Sequence, residues 1–158
     1  MQRTAPTPRP LAALEVLARA QADFIVVGMM SGVLHGSLLS TVDLDVVHSG
    51  TPENIARIIS ALQQMHASYR DLTGRHLPPN PSLLASKPGH NLFATDFGGV
   101  DVLATVGFGL TYEDLLADSV VVQLGTFEVR TITLPVLIQL KEQAGRPKDL
   151  AESLRRKP

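Results

Sequence analysis

With 158 residues, 44% hydrophobic and 18% charged, the chain is long enough for one substantial core and too apolar for a disordered segment. A net charge of −1 and an aromatic share of 4% without Trp exclude a globally basic nucleic-acid surface and one built on stacked rings. Zero cysteines exclude disulfides, thiol catalysis and Cys-ligated zinc, and no apolar run approaches the roughly 20 residues of a membrane span.

One domain over 1–158 is expected, cytoplasmic by default, with the proline-containing residues 1–9 as a loose arm. Leu11, Leu14, Leu17 and Ala18 recur at helical spacing and predict a helix over 10–22. Phe24 to Val27 is a short continuous apolar run, the pattern of a buried strand, and Gly28 ends it. A short helix is expected over Met29–Gly36 and a second strand over Asp43–His48. Thr51-Pro52-Glu53 is a strong helix start, because Thr caps, Pro suits the first turn and Glu favours the positive end of the dipole. Ile55, Ile58, Ile59 and Leu62 supply that helix with its buried stripe, out to about Met65.

Residues 69–89 carry four prolines and read as a long loop. Asn91–Phe97 and Val100–Val106 read as a hairpin turning at Gly98-Gly99, and Val120–Leu124 with Phe127–Ile132 as another around Gly125-Thr126. Thr111 opens a short helix between the hairpins. Leu134–Ala144 is a helix stopped by Gly145, with a last helix expected from Pro147 and basic residues at 155–157. Interleaved strands and helices with hairpins predict an α+β fold, a mixed sheet flanked by helices.

The chemistry centres on residues 24–48. Asp43 and Asp45 stand i and i+2 at the opening of a strand, so both carboxylates face the same side. An Asp-x-Asp arises by chance roughly 0.5 times in a chain of this length, so the pair alone is weak evidence. A third acid, Asp101, sits inside the apolar strand Val100–Val106, where an unpaired charge is costly to bury. Three carboxylates on neighbouring strands suit Mg²⁺ or Mn²⁺, which serve in-line phosphoryl transfer. The turn at Gly28 and Met29, running into a helix N-terminus, is a candidate triphosphate cradle. Ser31 and Ser37 are weaker candidates for phosphate contact. Thr41 either shapes the turn that aims the acids or touches the ligand, and Lys141 is placed to reach a triphosphate or leaving group.

In these residues the chain resembles the minimal nucleotidyltransferases of the DNA polymerase β superfamily, particularly the abortive-infection toxin type. The family pattern of strand, Gly-Gly or Gly-Ser, short helix with His-Gly, then Arg-x-Thr-x-Asp-x-Asp is met here by Gly28-Met29, His35-Gly36 and Leu39-Ser40-Thr41-Val42-Asp43-Leu44-Asp45. The family's third acid is similar to Asp101 in Gly99-Val100-Asp101-Val102-Leu103. Its Lys followed by Gly-Arg-x-Lys-Asp is similar to Lys141 and Gly145-Arg146-Pro147-Lys148-Asp149. The resemblance covers about 24–150. It implies a polymerase β-like core and transfer of an NMP from an NTP to a hydroxyl, with an RNA such as a tRNA end or a protein side chain as acceptor. It also implies a cognate partner protein in a toxin–antitoxin pair.

The chain departs from the pattern at Met29, in place of a second small residue, and at Leu39, in place of Arg. These departures motivate the alternative of a catalytically weakened module that binds nucleotide or a partner protein. A dinucleotide-binding turn is excluded by Gly28-Met29-Met30-Ser31-Gly32, which lacks Gly-x-Gly-x-x-Gly.

Overall fold

Phe24–Val27 forms a strand (β1) buried on both faces, and the sheet is laid around it. The computed structural model describes residues 6–37, 43–70, 73–87 and 89–144. Gly28–Leu34 (α2) follows β1 directly, and Leu44–His48 (β2) returns antiparallel beside it. Pro10–Arg19 (α1) precedes β1, and Pro52–Gln64 (α3) follows β2. Ser68–Tyr69 (β3) and Pro81–Ala85 (α4) lead to the hairpin of His90–Thr95 (β4) and Gly98–Leu103 (β5). Thr105–Val106 (β6) and Leu110–Thr111 (β7) form a small separate ribbon before Tyr112–Leu115 (α5). Ser119–Leu124 (β8) and Phe127–Ile132 (β9) make the last hairpin, and a helix occupies 134–144 (α6).

Among the described residues the main sheet has seven strands in the order β3-β4-β5-β2-β1-β9-β8. β2 runs parallel to β5 and β1 parallel to β9, while the remaining neighbours are antiparallel. This is the mixed α+β sheet that the interleaved pattern predicts.

Alternation along the strands divides the sheet into two unlike faces. On one, Phe24, Val26, Leu44, Val46, Val100 and Phe93 pack with residues of α1, α3 and α4 to form the larger core. The other carries Ile25, Val27, Val47 and Ile132 under Leu115 of α5 and Leu137 and Leu140 of α6. That second cluster takes no residue from β4, whose alternate positions His90, Leu92 and Ala94 are exposed. Among the described residues, then, one part of this face is covered and the part at β4 is open.

Several expectations are corrected. The first helix ends at Arg19, because Gln21 turns into the left-handed region at φ 59°. The β4–β5 hairpin turns at Asp96-Phe97, with Gly98 already paired to Thr95, and β5 stops at Leu103 instead of reaching Val106. The 69–89 stretch is not a bare loop. Asn80 caps α4 by accepting from the amides of Ser82 and Leu83, and Tyr69 joins this segment to the sheet. The expected loose arm is fastened at its end: the Arg9 amide donates to Phe97 O at 2.8 Å, and the guanidinium lies 4.7 Å from the Phe97 ring centre. The expected helix after Pro147 lies outside the described residues.

A buried polar residue ties the turns on either side of β1 and β2. Asn54, 1% exposed, accepts from the Asp23 amide at 2.6 Å and donates to the carbonyls of Asp23 and Ser49 at 2.9 and 2.8 Å. Asn54→Ala would leave the Asp23 amide unpaired and remove one of two donors from each of the Asp23 and Ser49 carbonyls, which keep the Ser49 amide and His48 Nδ1, so we expect a loss of about 2 kcal/mol in chemical denaturation. A loss below about 1 kcal/mol would show that water replaces the amide freely.

Candidate functional site

Strand register assembles the acids. Asp45 on β2 is the in-register neighbour of Asp101 on β5, which in turn pairs with Leu92 on β4. All three side chains therefore rise from one cross-strand row on the open face. Asp45 is the one position of β2 that is not fully buried. Asp43 lies just before β2 and leans over Gly99, where an added Cβ would stand only 2.6–2.8 Å from its carboxylate. Gly28, at φ +65°, sits equally tight against Asp45: a Cβ there would collide with the carboxylate oxygen. Glycine is thus demanded at 28 twice, by backbone conformation and by the close approach of the acid.

A cation completes the cluster. Arg70 directly follows β3, and its amide donates to Leu92 O at 3.0 Å, at the end of the same cross-strand row. Its guanidinium pairs with Asp101 through Nη2 and with Asp43 through Nη1, the latter at 3.4 Å. Two acids from different strands are bridged by one planar fork, a geometry that suits arginine better than lysine. Sequence reasoning missed Arg70, because β3 is two residues long and has no periodicity of its own. Its sheet position comes from Tyr69, which stacks on Phe93 at 4.5 Å and donates to Asn91 Oδ1 at 2.7 Å.

The electrostatics follow from crowding and partial burial. Asp45 is pushed up to about 7, first by burial, then by its hydrogen bond to Asp101 and by the charges of Asp101 and Asp43, with Arg70 opposing. Burial also raises Asp101, against the pull of its hydrogen bond to Asp45 and of Arg70. As a coupled pair, both carboxyl groups bind a proton more readily than a free aspartate does.

The structure thus brings Asp43, Asp45, Asp101 and Gly28 together and leaves other sequence candidates elsewhere. Met29 is exposed at 45% next to Gly28. Ser31 is fully buried, its hydroxyl 2.5 Å from that of Thr131, so it fixes α2 to β9 and is not presented to a phosphate. His35 Nε2 donates to Ile132 O at 2.7 Å, a further tie between the same elements. Lys141 is exposed on α6 and makes no ion pair among the described residues. Thr41 and Leu39, with Arg146, Lys148 and Asp149, lie outside the described residues.

The donor set is chemically suited to a hard divalent ion, being three carboxylates with a surplus of negative charge. As the side chains stand, however, no three acidic or imidazole groups among the described residues are spaced to hold an ion jointly, and the guanidinium lies between two of the acids.

The raised acids set the sign of a pH effect. From 3.8, the ordinary value for Asp45, up to about 7 the folded protein holds a proton that the unfolded chain releases. In chelating buffer, stability should therefore fall as pH rises through that window. Asp45→Asn should flatten the fall and gain roughly 1 kcal/mol at pH 8, after allowance for partial exposure. Parallel denaturation curves for the two proteins across pH 4–8 would overturn this.

No protein-family model matches the chain, and no curated protein matches its sequence. Among solved structures it is similar to a Thermotoga maritima chain described as a "putative nucleotidyltransferase". The two share 16% identity over 95% of this chain and 94% of that one, with a TM-score of 0.61. At that identity the likeness is one of fold, and the chain accordingly has a nucleotidyltransferase-like α+β fold.

Proposed function

We propose that the chain is a metal-dependent nucleotidyltransferase that moves an NMP from an NTP to a hydroxyl on an RNA end or a protein side chain. The observation that carries this reading is the placement of Asp45 beside Asp101, with Asp43 adjacent, on the open face next to the tight turn at Gly28. In the reaction, the acceptor hydroxyl attacks the α-phosphorus, the bond to the bridging oxygen breaks and pyrophosphate leaves. Asp101 accepts the hydroxyl proton, a role that its raised proton affinity favours. Asp43 and Asp45, with Asp101, would hold Mg²⁺ or Mn²⁺, which when bound supplies charge neutralisation at the phosphoryl oxygens. Gly28 borders Asp45 and, with Met29 next to it in the chain, would carry the triphosphate. Lys141 and Thr41 complete the proposed nucleotide contacts, and a cognate partner protein would restrain the activity as an antitoxin restrains a toxin.

The exposed Met29 beside Gly28 favours a second reading, a module that binds nucleotide or a partner without turnover. The two readings part on one experiment. Purified protein is incubated with labelled NTPs, Mg²⁺ and total RNA, alongside Asp101→Asn. We expect label transfer that falls at least about 10²-fold in the variant, the scale of a lost general base. Calorimetric NTP binding with no transfer by the wild type would favour the binding module, and neither binding nor transfer would overturn both readings.

A further inference from the structure

The acid cluster already contains a cation. Arg70 is the only basic residue seen to pair with Asp43 or Asp101 among the described residues, and it pairs with both. The side chains are partly shielded, at 37% exposure for Arg70, 50% for Asp43 and 20% for Asp101. Guanidinium and carboxylates therefore interact more strongly than fully hydrated surface groups would.

Its position is built into the sheet. The Arg70 amide is held by Leu92 O, and Tyr69 before it is locked by Phe93, Asn91 and the Asn80 amide. The backbone that carries the guanidinium is thus anchored on both sides of the edge strand. A divalent ion drawn to Asp43 and Asp101 would compete with the guanidinium for the same two carboxylates.

We propose that Arg70 is a positioning residue that stands in for the divalent ion in the resting protein. It holds Asp43 and Asp101 in place without metal and must release them for the ion to enter. This rests on the reading of the acids as a cation site. Two consequences follow. Arg70 raises the ion concentration needed to fill the site, and it spares the metal-free fold from unrelieved repulsion among its acids.

The test measures Mn²⁺ binding by electron paramagnetic resonance of the free ion, without nucleotide, for wild type, Arg70→Gln, Arg70→Lys and Asp101→Asn. We expect Arg70→Gln to bind Mn²⁺ about tenfold more tightly than wild type, the scale of one displaced ion-pair network. Arg70→Lys, which keeps the charge but cannot bridge two acids with a planar fork, should fall between them. It also keeps the test open if the neutral variant folds poorly. Asp101→Asn should bind more weakly than wild type. Equal or weaker Mn²⁺ binding by both Arg70 variants, with wild-type binding intact and lost in Asp101→Asn, overturns the role of Arg70 alone. Absence of Mn²⁺ binding in wild type and in both Arg70 variants overturns the cation site, and this inference with it.

Discussion

In-register parallel pairing of β2 with β5 sets the carboxyl groups of Asp45 and Asp101 next to each other on a half-sheltered face. Two carboxylates so placed repel, and partial burial increases the cost of ionising both. The surroundings answer that cost in three ways: a raised proton affinity of the Asp45–Asp101 pair, the guanidinium of Arg70, and the lean of Asp43 over Gly99. Each answer depends on a backbone feature. The proton affinity follows from register, Arg70 from the short edge strand β3, and the position of Asp43 from a residue without a side chain.

The unequal faces of the sheet explain how such a cluster is tolerated. The larger apolar cluster, built with residues of α1, α3 and α4 and with Met30 of α2, lies on the side away from the acids, so the main core forms without them. On the acid side, among the described residues, the cluster of α5 and α6 takes in β1, β9 and the ends of β2 and β5 at Val47 and Leu103, and nothing from β4.

Local patterns in the sequence carried much of this. β1, β2, α3 and the β8–β9 hairpin follow from apolar runs, a Thr-Pro-Glu start and a Gly-Thr turn, each a short-range signal. Asp43 and Asp45 were legible because an i, i+2 pair at a strand opening has a fixed consequence for direction. Asp101 stood out as a charge in an apolar strand. What could not be read was long-range: which strand lies beside which, and hence that Arg70 reaches the acids. Ser31 illustrates the opposite error. Its sequence position near the glycine turn suggested a ligand, while the close approach of β9, which places Thr131 against it, was invisible from local pattern.

The Tyr69 hydroxyl joins two parts of the chain that differ in character. It donates to Asn91 in the sheet and accepts from Asn80 in the proline-rich connection, an exposed stretch where substitutions and insertions would ordinarily be harmless. Tyr69 also precedes the residue that bridges two of the acids. The phenol thus fastens this surface segment to the strand that leads into Arg70.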